Sequence, residues 1–224
     1  MVERMVLRDA DSAAEWAAGR IADGLTAATG TRGRASLALS GGRSPWVMME
    51  HLFARDLPWG LVDILQVDER VAPDGDARRN IVRIDDLLAG TPAGAARLHP
   101  MPVAAGTQPA VQAYRALLRE LGGPIDVVQL GLGEDGHTAS LAPGDPVLEV
   151  MDSPVAATAA PFNGTMRVTL TYPALDATGD VVWLVTGRSK QPMAARLLDG
   201  DPSIPAGRVT SASQVVVMDA DAAP

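Results

Sequence analysis

A chain of 224 residues with 47% hydrophobic content is long enough for one large domain with its own core, and a formal net charge of −8 excludes the broad basic face that nucleic acid or an anionic membrane requires. It has no cysteine and 3 histidines, His51, His99 and His137, which excludes disulfides and thiolate metal centres and leaves no expectation of a metal site. The apolar runs are far shorter than the roughly 20 residues of a membrane-spanning helix, and the opening M-V-E-R-M-V-L-R lacks a long apolar leader core, so a soluble, cytoplasmic protein is expected.

In chain order, Asp11 to Ala28 reads as an alanine-rich helix opened by Asp11 or Ser12, with Trp16, Ile21 and Leu25 near the face that packs on a sheet. A turn at Gly30 to Gly33 leads to a strand, Ser36 to Leu39, which runs straight into S-G-G-R-S-P, Ser40 to Pro45. Proline suits the first turn of a helix, so Trp46 to Arg55 is the predicted helix and Gly41-Gly42 the loop before it. A strand, a glycine turn and a helix in that order present backbone N–H groups to a phosphate, although two adjacent glycines also make an ordinary tight turn. No Gly-Lys-Ser or Gly-Lys-Thr follows, so this is not the phosphate loop of nucleoside triphosphatases.

A second strand, Val62 to Val67, ends in D-E-R, Asp68 to Arg70, which is either a solvated loop or a set of site residues at the carboxyl edge of a sheet. Asn80 is placed to cap a helix over Ile81 to Leu88. Residues 89 to 108, rich in Gly, Pro and Ala, read as a long surface connection in which His99 has no assigned role. Pro109 to Leu121 is a helix leading into a central apolar run, Ile125 to Leu130. That strand breaks into G-L-G-E-D-G-H-T-A-S-L-A-P, Gly131 to Pro143. Its glycines free the backbone, while Glu134, Asp135 and His137 bring two carboxylates and an imidazole to the strand's end, where open parallel sheets bind ligands. One reading is a polar catalytic loop with Thr138 and Ser140 capping the next element. The other is an ordinary strand-to-helix turn in which Asp135 caps and His137 lies on the surface.

Beyond Pro143, Val155 to Thr158 and Met166 to Thr171 read as paired or edge strands around a turn at Pro161 to Gly164, and Tyr172-Pro173 begins a short helical turn. Asp180 to Thr186 is another buried strand, and G-R-S-K then opens a helix to Leu198 with Lys190 in its first turn. Lys190 is the single lysine among 19 Lys and Arg residues. A coding bias explains the arginines but not the exception, and a cation in a first turn opposes the helix dipole unless an anion is shared. Ile204 to Val209 and Gln214 to Met218 are expected to close the sheet, with Asp219 to Pro224 as a frayed tail. The alternation predicts one α/β domain over residues 1–224: a Rossmann-like, mostly parallel sheet with helices on both faces and a small extra strand and loop region in the C-terminal half.

Five stretches together resemble the 6-phosphogluconolactonase family, within the group that includes glucosamine-6-phosphate deaminase/isomerase and ribose-5-phosphate isomerase folds. They are L-A-L-S-G-G-R-S-P (37–45), V-D-E-R-V-A-P (67–73) with Asn80, G-L-G-E-D-G-H-T-A-S-L-A-P (131–143), R-V-T-L-T (167–171) and G-R-S-K (187–190). They stand in family order and span most of the chain, and the third is the most specific. The chain departs from family habit with Ser44 for Thr, Arg79 for the Ser before Asn, and Ala142 for Phe.

The resemblance implies hydrolysis of 6-phospho-D-glucono-1,5-lactone to 6-phosphogluconate in the oxidative pentose phosphate pathway. It implies a small-molecule substrate and no metal or organic cofactor; the acidic charge argues against nucleic-acid and membrane partners, and a monomer is expected, with an oligomer left open. Opening a lactone requires a base for water, and an imidazole with a pKa near ~6.5 suits that task at neutral pH. The lactonase resemblance gives His137 this role, with Asp135 or Asp68 orienting it. Ser40, Gly41 and Gly42 then serve the phosphate or the oxyanion, and Arg43, Arg70, Arg167 and Lys190 serve the phosphate or the sugar hydroxyls. The rival is an amino-sugar-phosphate isomerase or deaminase, in which G-H is followed by an Asn-Glu pair whose glutamate falls at Ala142 here. No carboxylate occurs from Thr138 to Gly144. A non-catalytic sugar-phosphate sensor joined to a DNA-binding module is disfavoured by the length and by the acidic charge.

Overall fold

The computed structural model describes residues 2–224. Its chain opens with a strand that no periodicity announced, β1 (Glu3–Leu7), and continues into α1 (Ala10–Arg32). Asp9, rather than Asp11 or Ser12, caps α1, accepting the Ser12 N–H at 2.8 Å. Ala13, Ala14, Ala17, Ala18 and Ala22 share its buried face with Ile21 and Leu25, so small side chains bring the helix close to the sheet; Trp16 is only half buried. β2 (Ala35–Leu39) is followed by α2 (Arg43–Phe53), which begins at Arg43 instead of Trp46 because Gly42, at φ 136°, ends the loop early.

β3 (Val62–Gln66) leads at once into β4 (Asp68–Arg70), so the D-E-R triplet is itself a strand. α3 (Asn80–Leu88) starts at Asn80, whose side chain does not cap it. The stretch expected to be a plain surface connection contains β5 (Arg97–His99) and buries Ala93, Met101 and Val103. Then come α4 (Thr107–Leu121), β6 (Val127–Leu130), β7 (Val155–Ala157), β8 (Arg167–Leu170), α5 (Tyr172–Asp176), β9 (Asp180–Val185), α6 (Gln191–Leu198) and β10 (Gln214–Asp219). Ile204 to Val209 is a turn and not a strand; its Ala206 N–H donates to the Gly136 carbonyl at 3.0 Å, which carries it away from the sheet. The tail is not frayed. Asp219 and Ala222 are buried, and the Asp219 carboxylate accepts the Ala222 N–H at 2.8 Å.

Seven strands form a parallel sheet in the order β1-β10-β9-β6-β2-β3-β5. Its inner strands are short apolar runs buried on both faces, as parallel strands covered by helices must be. Alternate residues feed two cores: Leu37, Ile64, Val127 and Val182 pack beneath α1 and α2, whereas Leu65, Val128 and Trp183 pack beneath α4 and α6. From β2 the chain steps outward to β3 and β5, and from β6 it steps the other way to β9 and β10, so the order reverses between β2 and β6. Clefts at such reversals, outside the carboxyl ends of the strands, are where these sheets take ligands.

The extra strands of the C-terminal half join β4 in an antiparallel sheet, β4-β8-β7. Its register pairs Asp68 with Thr169 and Arg70 with Arg167. Residues two apart share a face and cross-strand partners lie side by side, so this register gathers a carboxylate and two guanidinium side chains on one surface. No described helix is long and apolar enough to cross a membrane.

Candidate active site

The carboxyl ends of β2, β6 and β9 open into a cavity of about 700 Å³. His137 enters it from the loop after β6. That loop closes on itself, because the Gly133 N–H donates to the His137 carbonyl at 2.8 Å and the His137 N–H donates to Asp135 Oδ1 at 3.0 Å. The same carboxylate oxygen lies 2.5 Å from His137 Nδ1, while Nε2 has no protein partner among the described residues. A Cβ on Gly133 would fall on the imidazole and on Asp135, so only glycine permits this approach. Partial burial pushes the Asp135 carboxyl up, but the bonds from the His137 N–H and ring together outweigh it and hold the group below the ordinary carboxylate range.

Of the two carboxylates considered for the imidazole, Asp135 is therefore the one in contact. Asp68 lines the cavity but is occupied elsewhere: it accepts the Ser140 hydroxyl and the Asn80 side-chain N–H, the latter at 3.2 Å, with Arg167 Nη1 at 3.8 Å. The helical turn that follows the loop, Pro146–Glu149, is capped by Asp145 and not by Thr138 or Ser140. Thr138 donates to the Gly131 carbonyl at 2.9 Å and Ser140 to Asp68, so the two hydroxyls tie the loop to its own strand end and to β4.

The cations reach the same cavity by different routes. Arg70 donates to Asn80 Oδ1 at 2.9 Å and to the Arg78 carbonyl. Arg167 is buried, which pushes its guanidinium pKa down against the pull of Asp68, yet an arginine starts so high that it stays charged. Arg43 is exposed at the start of α2. Lys190 ends a tight turn, Arg188–Lys190, immediately before α6, not within its first turn, and makes no ion pair among the described residues. Asp219 holds that turn by accepting the Gly187 N–H at 3.0 Å on both oxygens.

Ser40 is anchored to Gln129, donating its hydroxyl to the Gln129 carbonyl at 2.9 Å. The N–H groups of Gly41 and Gly42 have no protein acceptor among the described residues and stand at the head of α2, where the helix dipole favours an anion.

Sequence reasoning missed Asn80 as a wall residue and gave Glu69 no role. Glu69 is fully buried and accepts four N–H groups, from the Gln66 side chain, Arg70, Asn80 and Ile81, at 2.7 to 2.9 Å, which fastens β4 to the head of α3. Asn80 then bridges Asp68 and Arg70 beside Gly41, where a Cβ would collide with its amide. Phe162 and Asn163, which no motif marks, also line the cavity. The departures Arg79 and Ala142 do not; Arg79 is buried behind the site, donating to the Met101 carbonyl at 3.1 Å and to Asp74.

A cleft at the reversal of a parallel sheet, walled by cations around one imidazole, is the arrangement of an α/β enzyme for small anionic substrates. Comparison narrows this class. The chain belongs to the family described as glucosamine-6-phosphate isomerases/6-phosphogluconolactonase, whose pattern matches residues 8–218. The 6-phosphogluconolactonase of Rhizobium meliloti is 38% identical over 178 residues, 77% of each chain. That of Mycobacterium tuberculosis is 32% identical, with 97% of this chain and 96% of that one covered. The crystal structure of a 6-phosphogluconolactonase from Shewanella baltica shares the fold with a TM-score of 0.90 at 24% identity, covering 98% of each chain.

Proposed function

We propose that this chain hydrolyses 6-phospho-D-glucono-1,5-lactone to 6-phospho-D-gluconate, with His137 as the general base on water. The curated relatives support the reaction. The observation that carries the base assignment is the imidazole itself, with Nδ1 on Asp135 and Nε2 without a partner among the described residues. Nε2 takes a proton from water as the water oxygen bonds to C1, and the carbonyl electrons move onto the oxyanion. Collapse of that intermediate breaks the bond from C1 to the ring oxygen, which leaves with the imidazolium proton as the C5 hydroxyl. Asp135, an anion beside Nδ1, holds the ring and favours the imidazolium that forms between these steps. The free N–H groups of Gly41 and Gly42, with Arg43, Arg70, Arg167 and Lys190, supply positive charge for the phosphate and the oxyanion, while Ser40 and Asp68 set the walls that aim them.

The isomerase reading lacks its acid/base group, since Ala142 stands where the glutamate would be and no carboxylate occurs from Thr138 to Gly144. The test is a lactonase assay on freshly generated 6-phosphogluconolactone, corrected for spontaneous hydrolysis, beside an incubation with glucosamine-6-phosphate. Lactone turnover without ammonia or fructose-6-phosphate is the expected outcome; enzyme-dependent ammonia release would reverse the ranking. The same reading has the enzyme act as a cytoplasmic monomer without metal or organic cofactor, so chelation should leave the rate unchanged and sedimentation should return the mass of one chain.

A further inference from the structure

The segment joining β7 to β8 stands over the imidazole. Phe162 and Thr165 exchange backbone hydrogen bonds at 2.9 and 3.4 Å, and Asn163 and Gly164 between them have φ of 50° and 80°. Two central residues with positive φ make the tight turn that matches the twist of a hairpin. From this turn the Phe162 ring meets the His137 ring edge to face, with centroids 4.9 Å apart and planes at 75°. The Phe162 carbonyl accepts Nε and Nη2 of Arg167 at 3.2 and 3.1 Å, and the same guanidinium lies 5.6 Å from the Phe162 ring centroid. Nη1 of Arg167 is 3.8 Å from Asp68, so each guanidinium nitrogen has a protein neighbour and Arg167 runs as a strut from Asp68 to the turn.

We propose that Phe162 is a positioning residue for His137 and that Arg167 holds it in place. This inference rests on the reading of His137 as the base. Asp135 fixes one atom of the imidazole, but the torsion that swings a histidine ring has a broad minimum, and one hydrogen bond does not remove that freedom. Phe162 comes from a different segment of the chain and packs edge to face on the same ring. Two contacts from independent elements fix the direction of Nε2, and proton abstraction depends steeply on such alignment. A group that only aligns the base acts on the chemical step and leaves ground-state binding nearly untouched.

The experiment compares Phe162→Ala, Phe162→Leu and Phe162→Tyr with wild type and with His137→Ala, measuring corrected lactone kinetics, the Kd of 6-phosphogluconate and the melting temperature. Phe162→Ala is expected to lower kcat about three- to tenfold, the worth of an edge-to-face aromatic pair, with KM and the product Kd within about twofold. Phe162→Tyr keeps the ring and should recover kcat to within about twofold. Phe162→Leu restores bulk without the aromatic edge, should fall between them, and replaces the alanine variant if that one does not fold. Unchanged kcat in Phe162→Ala, a loss confined to KM, or no recovery in Phe162→Tyr would overturn the proposal. If His137→Ala is inactive while Phe162→Ala matches wild type, only this inference fails. If His137→Ala keeps its rate, the base assignment fails and takes the inference with it.

Discussion

His137 is held by its own loop before any distant element touches it. The bonds that set it come from Gly133 and Asp135, within four residues; this locality made Asp135 a candidate in the sequence, but only the geometry separates it from Asp68. His137→Ala should lower kcat at least ~10²-fold, the contribution of a general base, with little change in 6-phosphogluconate binding. Controls at His51 and His99, which bond to Asp11 and Asp63, should keep turnover; an active His137→Ala would sink the assignment. Gly133→Ala makes a harsher version of the same test, because its Cβ would displace the ring and carboxylate together, and it should cost kcat while leaving KM nearly unchanged. The partner of Asp68 was not legible. Ser140 is 72 positions away, and it comes close because its N–H bonds Thr169 of β8, which pairs with Asp68 of β4.

At the scale of elements, strands with a mostly apolar run, β2, β3, β6, β9 and β10, stood out in the sequence, since burial on both faces favours that composition. β1 and β5 did not, because each is a sheet edge with exposed positions that break the run. Ile204 to Val209 misled for the opposite reason: Ile204 and Ala206 are buried against the Gly136 loop and not in a strand. β5 is pinned by Asp63 of β3, which accepts Arg97 at 2.8 and 2.9 Å and has His99 Nε2 at 2.7 Å. The Arg97 bonds lower the Asp63 pKa, burial opposes them, and His99 adds to the lowering. A depressed carboxylate contributes stability that is present above its unfolded value and is lost as pH falls through the folded one. Asp63→Asn should therefore destabilise the protein at neutral pH by roughly 1–2 kcal/mol, discounted because Arg97 is largely in solvent. That deficit should shrink below the carboxylate range. Denaturant melts at pH 7 and at about pH 2.5, below the lowered folded value, check this, and a pH-independent deficit would assign the loss to packing.

The whole molecule carries a net charge of −8, yet Arg43, Arg70, Arg167 and Lys190 converge on one cavity. A long-range field of that sign opposes an anionic substrate, so recognition must come from short-range, charge-assisted contacts. Lys190 is the cleanest probe of this, since Asp219 fixes its turn while its own ammonium is unpaired among the described residues. Without a ligand it stands at the N-cap of α6, whose dipole disfavours a cation there by a few tenths to ~1 kcal/mol. A bound phosphate reverses that sign. Lys190→Ala should thus leave the free protein as stable or slightly more stable, and weaken 6-phosphogluconate by ~1.5–3 kcal/mol, the range for hydrogen bonds to charged groups. Ligand at 100 times the wild-type Kd stabilises the native state by about 2.7 kcal/mol, and a tenfold weaker Kd cuts this to about 1.4 kcal/mol at the same concentration. Hydrolysis of unphosphorylated gluconolactone should hardly change. Paired melting curves with and without 6-phosphogluconate decide the matter: an equal ligand-induced shift in wild type and Lys190→Ala would make this residue a bystander at the cavity wall.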